Sequence, residues 1–100
     1  MASVAVCRKP QELFPLGRLL ITPGAQEALL SCDNKSPLDL LYRHQRGDFG
    51  DLCEEDWDAN ERALKEGSRI FSSYKIYENV FWVITEADRS ATTILLPDEY

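Results

Sequence analysis

The apolar positions of this 100-residue chain change their period once, near Arg69. Before it they recur at spacings of three and four, the mark of helices buried along one stripe. After it they run in short blocks rich in aromatic and β-branched residues, the mark of strands. Ahead of the helical region "GRLLIT", Gly17 to Thr22, is a short apolar block bounded by glycine and proline, and it reads as a first strand.

Three helices follow. Thr22 is placed to cap the first and Pro23 to open it, and Ala25, Ala28, Leu29 and Cys32 then share one face. "DNK", Asp33 to Lys35, breaks it. The second repeats the start signal, with Ser36 as cap, Pro37 at the first helical position and Asp39 at the positive helix end. Leu38, Leu41, Tyr42 and Gln45 form its expected inward stripe, and Gly47 its left-handed C′ residue. The third runs to Gly67 with Trp57, Asn60 and Leu64 inward, flanked by Ala63. Asp48 or Asp51 is expected to cap the segment leading into it.

From Arg69, "RIFSSYKIY", "VFWVITEA" and "ATTILLP" are separated by "EN" and "DRS". They predict a three-stranded antiparallel meander whose first turn is Glu78-Asn79, with Asn79 at positive φ. "VFWVI" is apolar throughout and should be covered on both sides, one candidate cover being a second copy in a homodimer. The expected fold is therefore α+β: a strand, three helices, then the meander, with the helices packed on one face of the sheet because they have nowhere else to bury their stripes. Residues 1–15, with two prolines and weak alternation at Val4 and Val6, read as an N-terminal arm or edge piece, leaving 16–100 as a single domain.

Composition narrows the function classes. An apolar share of 44% and a charged share of 28% suit a globular domain that folds without staples. No apolar run approaches the ~20 residues of a membrane span, and "MASVAVCRKP" lacks the layout of a signal peptide, so a cytoplasmic protein is expected. Cys7, Cys32 and Cys53 show no metal or redox spacing and read as free thiols. A net charge of −6 argues against nucleic-acid binding through phosphate contacts and suits a basic partner.

Four places carry candidate chemistry. "HQRGDFGD" holds His44, Asp48 and Asp51, which could meet as an acid–base or metal cluster; the preferred reading is a helix end and loop, with Phe49 anchoring it to the core. Seven acids lie between Asp48 and Glu61, among them Glu54, Glu55 and Asp58. They could imitate a phosphate backbone or bind a partner, although a first helical turn also favours carboxylates. In "TEADRS", Glu86 and Asp88 could form a carboxylate pair for a metal, and Arg89 with Thr92 and Thr93 could bind an anion. The plainer reading is a turn in which Asp88 and Ser90 bond nearby amides and Arg89 pairs with Glu86. Asn60, on the inward stripe, should tie its helix to the loop at Asp48–Asp51, with Tyr74 and Ser73 in the same network. No GxSxG, phosphate-cradling glycine loop or HExxH occurs, and neither a cofactor nor a metal is expected.

The blocks "LGRLLITPGA", "SPLDLLYRHQRGDFGDL", "NERAL" and "VITEADRSATTILLPDEY" together resemble a family of small bacterial proteins carried on plasmids and integrative elements. The likeness covers about residues 16–100. Members are labelled "plasmid-related protein" or "type I restriction endonuclease subunit M". The second label would imply a DNA adenine methyltransferase, whose glycine-rich cofactor loop and Asn/Asp-Pro-Pro-aromatic motif this chain lacks. What the resemblance implies is an accessory protein of mobile DNA, with no catalytic residues to carry over. The leading expectation is a non-enzymatic cytoplasmic protein that binds another protein, in anti-defence or plasmid-maintenance work. The rivals are a small metal-dependent or anion-binding enzyme using His44, Asp48, Asp51, Glu86 and Asp88, and an acidic DNA mimic.

Overall fold

A computed structural model of the chain describes residues 13–32 and 36–100. The expected arm up to residue 12, with Cys7, and the expected helix break at Asp33-Asn34-Lys35 lie outside the described residues. The elements are β1 (Arg18–Ile21), α1 (Pro23–Ser31), α2 (Pro37–Gln45), α3 (Glu54–Glu66), β2 (Ile70–Ile76), β3 (Asn79–Thr85), β4 (Ala91–Leu95) and a 3-10 turn, Pro97–Glu99.

Local chemistry sets the helix ends. The Thr22 hydroxyl accepts the Ala25 N–H at 3.2 Å and the Ser36 hydroxyl accepts the Leu38 N–H at 3.1 Å, each with proline in the first turn. A cap of this kind is worth about 1 kcal/mol. α2 ends in a Schellman motif: Gly47, at φ 93°, donates to His44 O, and Asp48 N–H reaches back to Arg43 O at 2.9 Å. The N-cap of α3 is Cys53, whose side chain makes no capping bond. In the segment leading into it the Asp48 carboxylate accepts the Gly50 N–H at 3.3 Å, as expected, while Asp51 bonds to β2 instead. The first turn of α3 holds Glu54, Glu55 and Asp56, whose charges suit the positive helix end.

The sheet is four-stranded and mixed, in the order β1-β4-β3-β2, and not a three-stranded antiparallel meander. β2 pairs with β3 and β3 with β4 in antiparallel fashion, while β1 lies parallel to β4, with Arg18 opposite Ala91 and Ile21 opposite Ile94. A parallel neighbour needs a long crossover, which the three helices and the first hairpin supply. The hairpin turn is Tyr77-Glu78, one residue earlier than expected; Asn79 belongs to β3 and pairs with Ile76, and positive φ (57°) falls on Tyr77. That register puts Tyr74 opposite Phe81 and Ser72 opposite Val83, and all four are buried.

The core lies between the helices and the inner face of the sheet. Ala25, Leu29, Leu40 and Leu41 pack with Tyr74, Phe81, Val83 and Ile94, and a second cluster gathers Phe14, Phe49 and Ala63 around Ile70. Phe14, in the expected arm, is thus a core residue. The expected α2 stripe is rotated: Leu40, Leu41 and His44 are buried, whereas Leu38 is 65% exposed and Tyr42 is exposed. Polarity argued for keeping the histidine outside, and the hydroxyls described below reverse that preference. On the outer face Phe71, Trp82 and Tyr100 stack edge to face at 5.0 and 5.8 Å, so the chain itself partly covers that side of "VFWVI". No helix among the described residues is long and apolar enough to cross a membrane.

Candidate functional site

His44, from the last turn of α2, is fully buried. Its Nδ1 lies 2.5 Å from Ser72 Oγ on β2 and its Nε2 2.9 Å from Thr85 Oγ1 at the end of β3. Thr85 Oγ1 is 2.7 Å from Thr92 Oγ1 on β4, and the Thr92 hydroxyl donates to the Leu16 carbonyl at 2.7 Å. Each hydroxyl has one proton, so the far end sets the direction of the chain. Thr92 donates to a carbonyl, which can only accept; Thr85 must then donate to Thr92, and His44 Nε2–H to Thr85. Nδ1 is left as the acceptor for the Ser72 hydroxyl. The imidazole is therefore neutral and in the Nε2–H tautomer.

Burial, aided by the Arg89 cation, pushes the His44 pKa down to about 3. Phe14 stands between the two, its ring edge-to-face with the imidazole at 5.2 Å and 5.6 Å from the guanidinium carbon. Ser72 and His44 have the spacing of a nucleophile and its base. Both are buried away from solvent, and the orienting partner is a neutral threonine in place of a carboxylate. The geometry makes this chain a polar strut joining α2, three strands and the segment before β1.

Neither imidazole nitrogen meets a carboxylate. Asp48 receives Arg43 at 2.8 Å and the Gly50 N–H at 3.3 Å, and the Arg43 contact holds its carboxyl below the usual range. Asp51 accepts the Lys75 N–H at 3.1 Å. Glu86 faces Arg69 at 3.8 Å, correcting the expected pairing with Arg89. Asp88 takes the Ser90 N–H at 3.0 Å within its own turn, as expected, and hydrogen bonding from Ser90 lowers its pKa. Among the described residues no three His, Cys, Asp or Glu side chains group as metal ligands. Cys32 is buried and Cys53 exposed, both as free thiols.

Arg89 is not aimed at solvent. At φ 60° its guanidinium donates to the carbonyls of Ser68 (2.6 Å), Glu86, Ala87 and Ala63 (each 3.2 Å), closing the C-terminal end of α3 against the β3–β4 turn. The expected anion set dissolves with it, since Thr92 is inside the buried chain and Thr93 lies on the opposite face of β4.

Asn60 does something the sequence did not suggest. Its amide pairs with the backbone of Phe71 in both directions, accepting Phe71 N–H at 3.0 Å and donating to Phe71 O at 2.6 Å, in place of the expected bond to the loop. The loop completes the same edge: Phe49 O accepts Ser73 N–H, Asp51 N–H donates to Ser73 O at 2.7 Å, and Asp51 takes Lys75 N–H. Tyr74 joins from below, its hydroxyl donating to Asp48 O at 2.6 Å. The outward backbone of β2 is thus capped at Phe71, Ser73 and Lys75. Meanwhile the α3 carboxylates Glu54, Glu55 and Asp58 remain exposed, and neither ion pair among the described residues, Arg43–Asp48 or Arg69–Glu86, uses them.

A cavity of about 590 Å³ opens between α2 and the hairpin tip, lined by Asp39, Tyr42, Arg43, Lys75 and Tyr77 among others. None of the residues that carry candidate chemistry in the sequence lines it. The sequence pattern assigns Tyr42 to the buried stripe and places the hairpin turn one residue late. Comparisons with protein-family models, curated proteins and solved structures gave no match to this chain.

Proposed function

We propose that this chain is a non-enzymatic accessory protein of bacterial mobile DNA that acts in the cytoplasm by binding another protein, through the acidic face of α3. The observation that carries the proposal is a contrast in how charge is used. His44 and Arg89 are held within the fold, and the exposed Asp48, Asp51 and Asp88 each accept a hydrogen bond from a neighbouring segment or their own turn, whereas Glu54, Glu55 and Asp58 are exposed and belong to neither ion pair among the described residues. Unpaired acids on a rigid helix suit a partner with a basic surface. A partner whose basic surface normally holds a phosphate backbone is one case, which makes the DNA-mimic reading a narrower form of the same proposal. The mobile-element setting comes from the resemblance of residues 16–100 alone.

The test is site-specific photocrosslinking in host cells, with the reactive group at position 58 and, as a control, at position 31 on α1. The expected result is one crosslinked protein from position 58, lost when Glu54, Glu55 and Asp58 are all changed to Lys. Equal crosslinking from both positions, or a crosslink indifferent to charge reversal, would end the proposal.

A further inference from the structure

The two edges of the sheet are treated differently. β2 is capped from Phe71 to the Lys75 N–H, as described above. β1 pairs with β4 through Arg18 N–H and Thr22 N–H, so the even-numbered backbone groups face inward and those of Leu19 and Ile21 face out. No described residue bonds to them. The side chains around this open edge are apolar: Leu19 is 49% and Leu20 46% exposed, and Leu19, Ile21, Pro37 and Leu38 line a groove of about 130 Å³ beside it. A bare apolar edge invites another strand.

We propose that the occupant is a second copy of this chain, with the two β1 strands antiparallel across a two-fold axis at Leu20, giving a continuous eight-stranded sheet. The edge is complementary to itself in that register. Leu19 of one copy exchanges both backbone bonds with Ile21 of the other, and the reverse pair does the same. Leu20 meets Leu20 on the outer face. Arg18 then stands opposite Thr22, whose hydroxyl already donates to Glu99 Oε1 at 2.5 Å. The turn carrying Glu99 lies on the same outer side, next to Tyr100 stacked on Trp82, so each Arg18 reaches a carboxylate of the partner copy. Registers centred on Leu19 or Ile21 keep the backbone bonding parity but lose that ion pair. Dimerisation here leaves both α3 faces free at the far β2 ends, so the inference stands or falls separately from the function proposed above.

Sedimentation of the full chain from low-micromolar to near-millimolar concentration tests it, with amide exchange followed alongside. The expected result is twice the 11.4 kDa chain mass at high concentration, with the Leu19 and Ile21 amides protected only in that form. Leu20→Lys, at an exposed site, should keep the circular dichroism of the wild type and stay monomeric. Arg18→Glu should weaken association at least tenfold. A wild-type chain that remains monomeric overturns the proposal and leaves the edge to an extended segment of some other protein. So does a dimer whose mass survives Leu20→Lys, since it must form elsewhere.

Discussion

His44 Nε2 donates to Thr85 Oγ1 across 2.9 Å of the protein interior, forty-one residues apart in sequence. That bond converts the chain's only histidine from a candidate catalyst into a joint between α2 and the sheet. It also makes protonation a route to unfolding.

The folded pKa of His44, about 3, lies below the ordinary 6.5, so the unfolded chain binds more protons between those values. Its contribution to stability is complete above pH 6.5 and is lost as pH falls toward 3, at up to about 1.4 kcal/mol per pH unit. Urea midpoints from pH 7 to 4 should fall more steeply for the wild type than for His44→Gln. Imidazole nitrogen shifts should report an Nε2–H ring that does not titrate between pH 7 and 5. Equal slopes in the two proteins would contradict the buried, neutral assignment.

Arg89 holds four carbonyls, and a lysine has neither the fork nor the reach to replace it. Arg89→Lys should lower stability by about 1–3 kcal/mol although the charge is kept. Thermal melts with and without inorganic phosphate should coincide for the wild type, because the guanidinium is already engaged. A phosphate-dependent rise in Tm that disappears in Arg89→Lys would restore the anion-site reading.

Removing the Asn60 amide leaves the Phe71 N–H and C=O without partners at the edge of β2. Asn60→Leu should cost about 1–3 kcal/mol and expose a pairing edge. Light scattering on warming should show aggregation beginning at lower temperature than in a surface variant of equal stability. If the two behave alike, Asn60 is not guarding the edge.

Two glycines at similar φ should respond differently to alanine. At Gly50 (φ 77°) a Cβ would collide with the Ser73 carbonyl oxygen and the Tyr74 ring, so the loop could no longer lie on β2. At Gly67 (φ 78°) nothing lies within 4 Å. Gly67→Ala should cost roughly 1 kcal/mol from backbone strain alone, and Gly50→Ala several-fold more. Denaturation midpoints measure the difference, and similar losses would remove the close approach as the cause.

The starts of α1 and α2 were legible because their causes are local: Thr22-Pro23 and Ser36-Pro37 place a cap and a proline side by side, and Gly47 and Gly67 accept the left-handed turn wherever the helix lies. The strands were legible as β-branched and aromatic blocks for the same reason. What no local pattern carries is the partner of each polar group. His44 faces inward only because Ser72 and Thr85 arrive from two strands to bond its nitrogens, and Leu38 is left outside as a result. Asn60 serves an edge that exists only once β2 is the last strand of the sheet, and Arg89 serves a helix end brought to it by folding. The parallel pairing of β1 with β4 likewise joins segments more than seventy residues apart. Backbone preference acts within a few residues, whereas the pairing of buried polar groups is decided by which side chains the assembled core leaves within hydrogen-bonding distance.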